Sequence, residues 1–287
     1  MSTQSSRPLV LLATWSDMPD GEEWAGTDFL LPAMTDRGLD ARWVVWDDAD
    51  VDWSEGLVAV RSTWDYERRL EEFLSWARSV PRMLNSPEVF AWNTNKAYLT
   101  QLADTGVPVV PTVVVEREPD LLGAVSRFGP AVVKPCVGAG GRGVVVLDGS
   151  SDREPQFGSG PWVVQPLVES VRTEGEISVF VLGGEVVSQA QKRPATGELR
   201  VHESYGGTPV AEPLTNEAAD LARRTVAAAE ELLGERLDYA RVDQMRLAGG
   251  TLAVSELEVT EPGLYLEVLP DNAPAFAELV ATRLADA

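Results

Sequence analysis

Cysteine and histidine are nearly absent from this sequence, which holds one of each, Cys136 and His202. A single cysteine permits no disulfide within the chain and no cysteine-based metal site. A Ser-His-Asp triad or a histidine-rich zinc site would depend entirely on His202. Serine hydrolases and zinc enzymes are therefore nearly excluded.

Long hydrophobic runs are also missing. No apolar stretch of the 287 residues approaches the roughly 20 residues that a transmembrane helix needs. The apolar segment near the N-terminus is too short for the core of a secretory signal and is typical of a first strand. We therefore expect a cytoplasmic protein that binds no membrane. Its length is enough for about two domains.

Positive charge is scarce. The chain has 24 lysines and arginines against 45 aspartates and glutamates, for a net charge of −21. Such a field repels nucleic-acid backbones, so we expect no nucleic-acid partner. Lysine occurs only at Lys96, Lys134 and Lys192. Because an ammonium is a compact charge suited to phosphate, these positions are candidate phosphate contacts. The alternative is that three lysines are too few to indicate any function.

Apolar strand-length segments alternate with helical segments at the start of the chain. This alternation is typical of a small parallel α/β domain, which we place at residues 1–88. Its predicted elements are strands at 8–15, 41–46 and 57–61 and helices at 22–38 and 66–80.

From residue 89 onward the pattern is α+β with much antiparallel pairing. Thr215 and Gly234 are the predicted N-cap and end of one long helix. Gly249 and Gly250 predict the turn of a hairpin. The predicted helices are 94–105, 118–128, 215–235 and 274–285, and the predicted strands are 112–115, 131–134, 143–147, 162–166, 176–182, 185–191, 239–246 and 251–258.

A glycine-rich loop follows the strand that ends in Lys134. The segment KPCVGAGGRG, residues 134–143, contains four glycines. Glycines let backbone N–H groups approach an anion closely. The loop fits neither the P-loop pattern nor a dinucleotide fingerprint. A phosphate-binding loop and a plain β-hairpin are both open at this point.

Acidic residues alternate along both strands of the last predicted hairpin. Side chains two positions apart share a face of a strand. Arg241 and Asp243 therefore lie on one face, as do Glu256 and Glu258 of the partner strand. If the strands pair in that register, three carboxylates converge beside one arginine, which suits Mg²⁺. The alternative is a solvated strand face.

These segments together resemble the ATP-grasp family, of the glutathione synthetase and D-alanine–D-alanine ligase type. The resemblance covers about residues 90–285 and is carried by the order and spacing of VVKPCVGAGGRG, VVQPLVES with GEISVFV, YARVDQM and SELEVTEPG. It implies an ATP-grasp fold at 89–287, with a lid subdomain at about 110–168 and a C-terminal subdomain that clamps ATP. The stretch RSTWDYERRLEEFLSW also resembles a subgroup of cyclo-ligases that close O-ureido-D-serine in antibiotic biosynthesis.

The resemblance assigns roles to individual residues. Glu176 matches the acid that binds ribose, and Arg241 matches the catalytic arginine that steadies the acyl-phosphate. Asp243, Glu256 and Glu258 match the ligands of Mg²⁺, which implies two ions, with Mn²⁺ able to replace them. The positions matching ATP contacts are Lys96, Lys134, Gly138, Gly140, Gly141, Gln165, Pro166, Leu167 and Val168, together with Glu176. Two positions depart from the family: Glu258 stands where many members have Asn, and Ser178, to which we assign no role, stands where many have Arg.

Further residues are candidates for substrate contact. Arg193 and Arg200 match catalytic arginines on the acceptor side, where Lys192 and His202 are also expected. The alternative is that these residues belong to a solvated loop without a role in binding. For His202 the alternative is a polar side chain that only packs against its neighbours. In the N-terminal domain, ligands are expected beyond the strand ends, which indicates Ser16, Asp17, Arg61 and Trp64; helix capping and core packing explain these four equally well. For Cys136 we expect packing beside the lid.

The resulting hypothesis is an ATP-dependent carboxylate–amine ligase of class EC 6.3. It would activate a small amino-acid-like substrate as an acyl-phosphate and release ADP and phosphate. Family members are often oligomeric, so a homo-oligomer is expected. A cyclo-ligase, a phosphotransferase that stops at a phosphorylated product and a non-catalytic nucleotide-binding module remain open as alternatives.

Overall fold

The computed structural model describes residues 7–21, 28–147 and 156–286. A three-stranded parallel sheet comes first, with the strand order β2-β1-β3. Its strands are β1 (Leu9–Thr14), β2 (Asp40–Val45) and β3 (Leu57–Ser62). Every residue of β3 is buried, in keeping with the continuous apolar runs of parallel strands. The predicted parallel sheet is confirmed.

Three helices accompany this sheet: α1 (Leu30–Asp36), α2 (Leu70–Ser79) and α3 (Pro87–Asn93). Helix α2 buries Phe73, Leu74 and Ala77, which lie on one face of the helix. Ser86 caps α3, because its hydroxyl accepts a hydrogen bond from the backbone N–H of Val89.

A second, four-stranded antiparallel sheet has the order β4-β7-β5-β6. A short helix, α4 (Tyr98–Asp104), precedes it. The strands are β4 (Val113–Val115), β5 (Ala131–Pro135), β6 (Val145–Leu147) and β7 (Trp162–Pro166), and helix α5 (Leu121–Val125) packs on them.

A third sheet contains five antiparallel strands in the order β10-β9-β8-β11-β12. Helices α7 (Asn216–Leu233) and α8 (Asn272–Ala285) pack on it, and α6 (Ser170–Thr173) is a single turn. The strands are β8 (Glu176–Leu182), β9 (Glu185–Arg193), β10 (Thr208–Glu212), β11 (Tyr239–Arg246) and β12 (Leu252–Glu258).

The N-terminal and five-stranded sheets share a core. Val60, Phe73, Phe90 and Val242 belong to one buried apolar cluster, although they come from distant parts of the chain. Burial of apolar surface is the main favourable contribution to folding. The common core therefore fixes the N-terminal sheet against the strands that carry the predicted acidic residues.

Several predicted elements differ in extent from the observed ones. Of the helix predicted at 22–38, residues 22–27 lie outside the described residues, and the described helix begins at Leu30. The helix predicted at 66–80 begins as a 3-10 turn at Tyr66–Arg68 before α2. The helix predicted at 94–105 is the shorter α4, and α3, α6 and β10 were not predicted.

The long helix was predicted correctly. The hydroxyl of Thr215 caps α7, accepting from the backbone N–H of Ala218, and Gly234 ends the helix in the left-handed region. Among the described residues, no helix has both the length and the hydropathy to cross a membrane. The division of the chain at residue 88, and the limits of the lid, stay predictions.

Candidate active site

A cavity of about 700 Å³ lies between the four-stranded and five-stranded sheets, with N-terminal side chains on a third side. This volume is in the range of small-ligand and cofactor pockets. Most of the predicted site residues line it: Trp64, Lys96, Lys134, Gly138, Gly140, Gly141, Gln165, Pro166, Leu167, Val168, Glu176, Lys192, Arg200, His202, Arg241, Asp243, Glu256 and Glu258.

The hairpin of β11 and β12 pairs in the predicted register. Arg241 lies opposite Glu258, and Asp243 lies opposite Glu256. Directly opposed residues of an antiparallel pair place their side chains on one face. All four side chains consequently line the cavity. The prediction that alternation brings these residues together is confirmed.

Asp243 is buried and held by cations. Arg241 donates to both of its carboxylate oxygens, each at 3.0 Å, and Lys192 Nζ lies 2.8 Å from Oδ2. Ser178 Oγ donates to Oδ1 at 2.6 Å. Burial by itself would raise the pKa of Asp243, but Arg241 and Lys192 outweigh it and hold this pKa well below its usual range.

Glu256 is paired with Lys96, with 3.0 Å between Nζ and Oε1. Although burial opposes ionisation, the charges of Lys96 and Lys134 lower the pKa of Glu256. Glu258 forms an ion pair with Arg241. Burial, aided by the charges of Asp243 and Glu256, raises the pKa of Glu258 to about 7.

The three carboxylates are not gathered around one point. Within the part of the chain that the structure describes, no group of three or more acidic, histidine or cysteine side chains is arranged to hold a metal ion. Each of these carboxylates is paired with a resident cation, and the assignment of Asp243, Glu256 and Glu258 to Mg²⁺ stays a prediction. Their oxygen donors still fit Mg²⁺, which is commonly bound by one or two carboxylates together with phosphates and water.

Glu176 lies at the start of β8 and is buried. It forms an ion pair with Lys192 and accepts a hydrogen bond from Ser255 Oγ at 2.9 Å. Burial raises the pKa of Glu176 despite the nearby lysine. Lys192 therefore pairs with both Glu176, the predicted ribose contact, and Asp243. It does so from a buried position on strand β9, whereas it was expected in a segment lining the acceptor side.

The glycine-rich segment is the long loop of the antiparallel β5–β6 hairpin, and it lines the cavity. Gly140, Gly141 and Gly143 adopt left-handed backbone conformations, which favour glycine. Lys96 Nζ donates to the carbonyl oxygen of Gly138 at 2.7 Å. The loop therefore contacts the same lysine that pairs with Glu256.

Glu67, from the N-terminal part of the chain, holds this loop from the other side. Its carboxylate accepts a hydrogen bond from the backbone N–H of Ala139 at 2.7 Å and forms an ion pair with Arg142. Arg142 also donates to the carbonyl oxygen of Trp64 at 3.0 Å. Glu67 was not among the predicted site residues, although it belongs to the YERRLEEF segment.

His202 and Arg200 lie on the wall of the cavity that follows β9. Partial burial and the cations Arg241, Lys192 and Arg142 lower the pKa of His202 to about 4. Arg200 pairs with Glu198 at 2.7 Å and lies over the ring of Tyr205. His202 is therefore a neutral imidazole at neutral pH.

Four predicted site residues lie outside the cavity. Arg193 is exposed, because it points to the opposite face of β9 from Lys192. Ser16 and Asp17 are exposed, while their neighbours Trp15 and Met18 line the cavity instead. Strand alternation and loop geometry direct these three side chains away from the cavity in this structure.

Arg61 is the fourth predicted site residue outside the cavity. It is fully buried, donates to the carbonyl oxygen of Pro262 at 2.6 Å and lies over the rings of Tyr239 and Phe276. Its guanidinium joins β3 to the C-terminal part of the chain. The position at a strand end suggested a substrate clamp, but the side chain points into the core.

Two family models match the chain. Residues 10–85 match the N-terminal domain of D-cycloserine synthetase DcsG, and residues 95–268 match the ATP-grasp domain of prokaryotic glutathione synthetase. The second match covers more than half of the sequence, so the chain belongs to the ATP-grasp family. It is a carbon–nitrogen bond-forming ligase, as its relatives are. ATP-grasp ligases use ATP and Mg²⁺.

Two similar proteins are both involved in ligase or biosynthetic chemistry. The chain is 34% identical over 281 residues to the cycloserine biosynthesis protein DcsG of Streptomyces lavendulae, covering 89% of this chain and 92% of that protein. It is 30% identical over 165 residues to a tetrahydromethanopterin:alpha-L-glutamate ligase of Methanosarcina acetivorans, about half of each chain.

Solved structures of ATP-grasp ligases share the fold of this chain. The crystal structure of D-cycloserine synthetase DcsG has a TM-score of 0.79 at 29% identity and covers 96% of this chain and 99% of that one. The ATP-grasp ligase PsnB, at 18% identity and a TM-score of 0.65, shares the fold. The predicted fold class, an α/β N-terminal domain with an α+β ATP-grasp fold, is confirmed.

Proposed function

We propose that this enzyme is an ATP-dependent cyclo-ligase that acts on a small amino acid such as O-ureido-D-serine, in antibiotic biosynthesis. The ATP-binding residues are common to cyclo-ligases and to ligases that join two molecules, so they do not distinguish the two reactions. The match of residues 10–85 to the N-terminal domain of D-cycloserine synthetase is what supports cyclisation. The similarity to DcsG over most of the chain supports the substrate.

In the proposed reaction, an oxygen of the substrate carboxylate attacks the γ-phosphorus of ATP. The bond between that phosphorus and the β,γ-bridging oxygen breaks, and ADP leaves. A nitrogen of the same substrate then attacks the carbonyl carbon of the acyl-phosphate. The carbon–oxygen bond to phosphate breaks, the ring closes and the nitrogen loses its proton to solvent.

The residues of the cavity fit these steps. Lys96 and Lys134 would neutralise the phosphates, and Arg241 would stabilise the charge on the acyl-phosphate. The loop at 138–142 would exclude water, which would otherwise hydrolyse the intermediate. Gln165–Val168 would receive adenine, and Glu176 the ribose.

Asp243, Glu256 and Glu258, together with the phosphates, would hold two Mg²⁺ ions. Mn²⁺ would be able to replace them. When bound, the metal supplies charge neutralisation during phosphoryl transfer. The chain's own part is to free these carboxylates from Lys96, Lys192 and Arg241, which can turn to the phosphates instead. A homo-oligomer in the cytoplasm belongs to the same proposal.

Analysis of the nucleotide products tests the proposal. With Mg-ATP and O-ureido-D-serine as the single substrate, we expect ADP and phosphate in equal amounts and a ring-closed product. The variant Asp243→Asn should lose turnover by about 100-fold or more, with an unchanged circular dichroism spectrum. The matched control Arg193→Gln, outside the cavity, should retain activity.

Other outcomes identify the alternatives. AMP with pyrophosphate would contradict the acyl-phosphate route. A stable phosphate ester without free phosphate would indicate a phosphotransferase. A requirement for a separate amine would indicate ligation between two molecules, and tight ATP binding without turnover on any amino acid would indicate a non-catalytic module.

A further inference from the structure

Glu261 is an acid of the cavity for which the proposed mechanism has no role. It follows β12, lines the cavity and is only 9% exposed. Among the described residues its carboxylate has neither a hydrogen bond nor an ion pair, unlike Asp243, Glu256 and Glu258. A buried carboxylate without a partner is costly, so this position calls for a cationic ligand.

The surroundings of Glu261 are aromatic. The indole N–H of Trp64 donates to the backbone carbonyl oxygen of Glu261 at 3.4 Å. Tyr66 is buried, and after burial itself the charge of Glu261 is the strongest influence that raises the pKa of its phenol. Trp15 also lines this cavity. Aromatic rings attract ammonium groups, and a bound ammonium would hold the Glu261 carboxylate in its ionised form.

The two cations whose charges act most strongly on Glu261, Lys96 and Arg241, are bound to other groups. Lys96, whose charge lowers the pKa of Glu261, pairs with Glu256 and donates to the carbonyl oxygen of Gly138. Arg241 is bound to Asp243 and Glu258. Burial, together with the charges of Glu258 and Glu256, raises the pKa of Glu261 to about 8. A positively charged ligand would relieve this unfavourable environment.

We propose that Glu261 binds the ammonium group of an amino-acid substrate and makes the enzyme selective for a free amino group. The inference rests on the proposed function of the same cavity. In an α-amino acid one carbon separates the ammonium from the carboxylate. An ammonium held at Glu261 would leave the substrate carboxylate to face Arg241, whose charge acts on Glu261 and which donates to the carbonyl oxygen of Gly263 at 3.3 Å.

Equilibrium binding of free and N-acetylated amino acids tests this assignment. The probes are O-ureido-D-serine, D-serine and L-serine, each with its N-acetyl form, added to enzyme loaded with Mg²⁺ and a non-hydrolysable ATP analogue. The wild type should bind at least one free amino acid about 10- to 100-fold more tightly than its N-acetyl form, as a charge-assisted hydrogen bond provides.

The variant Glu261→Gln, of nearly the same shape, should lose most of that discrimination. Its affinity for the ATP analogue and its Mg²⁺ dependence should remain those of the wild type. Glu203→Gln is the matched control, because Glu203 is an acid on another wall of the same cavity. It should keep the discrimination.

The outcomes separate this inference from the proposed function. If only serine binds in a manner that depends on its amino group and on Glu261, the proposed substrate is wrong and the assignment of Glu261 stands. Discrimination that persists in Glu261→Gln, or is absent from the wild type, overturns the assignment. A changed Mg²⁺ dependence with intact discrimination would place Glu261 at the metal and likewise overturn it.

Discussion

Asp243 depends on a neighbour that carries no charge. Ser178, directly opposite on β8, donates to Asp243 Oδ1 at 2.6 Å, while Arg241 and Lys192 contact the same carboxylate. In the proposed reaction Arg241 and Lys192 would turn to ATP, and Ser178 would be the contact that remains. Ser178 thus has a positioning role that the sequence did not indicate, because one small polar residue in a strand is usually incidental.

Removing this hydroxyl should lower the rate more than the affinity. For Ser178→Ala we expect kcat to fall by about 10- to 100-fold, the contribution of a hydrogen bond to a charged group, with KM for ATP changed less than about threefold. Steady-state kinetics measure both. Ser188→Ala is the control, since Ser188 donates to Asn272 outside the cavity. A rise in KM with unchanged kcat would contradict the positioning role.

At the scale of elements, the glycine-rich loop is held by both of its neighbours. Lys96 binds Gly138, and Glu67 binds Ala139 and Arg142. The Glu67 side chain is 10% exposed, so the carboxylate end of this contact is largely shielded from solvent. The N-terminal part of the chain therefore helps to close the loop over the cavity.

Glu67→Ala should release the loop and admit water. We expect ATP hydrolysis without ring closure to rise by several-fold relative to product formation, because an exposed acyl-phosphate reacts with water. The ratio of phosphate to ring product measures this uncoupling. Glu71→Ala, on the exposed face of α2, serves as the control. An unchanged ratio in Glu67→Ala would show that the contact has no part in closure.

The hairpin was predictable at this scale, whereas the loop contacts were not. A period of two fixes which side chains of β11 and β12 share a face, so Arg241, Asp243, Glu256 and Glu258 could be placed together from the sequence. Glu67 reaches the loop across more than 70 residues of sequence. No local pattern records a contact of that kind, just as none records that Arg61 points into the core.

At the scale of the whole molecule, Asn85 joins the two parts of the chain. Its side chain donates to the carbonyl oxygens of Tyr239 and Val259, at 3.0 and 2.7 Å, and accepts from the backbone N–H of Asp238 at 2.6 Å. Its φ of 50° is a left-handed conformation that asparagine tolerates better than most residues. The sequence placed a domain end here but did not reveal the junction.

Asn85→Ala should destabilise the whole protein. It leaves buried backbone groups without partners and places alanine in the left-handed region, so we expect a loss of roughly 3 kcal/mol or more in the free energy of unfolding. Chemical denaturation measures it. Asn95→Ala, at an exposed turn with one local bond, should cost less than about 1 kcal/mol. Equal stability of the two variants would contradict the role of Asn85 in joining the two parts of the chain.

The central claim is that ATP phosphorylates a carboxylate of the substrate, and transfer of an isotope tests it most directly. O-ureido-D-serine labelled with ¹⁸O in both carboxylate oxygens would be turned over with unlabelled Mg-ATP, and the released phosphate analysed by mass spectrometry. An acyl-phosphate route moves one ¹⁸O into each phosphate formed. Unlabelled phosphate, or label in AMP, would contradict the account.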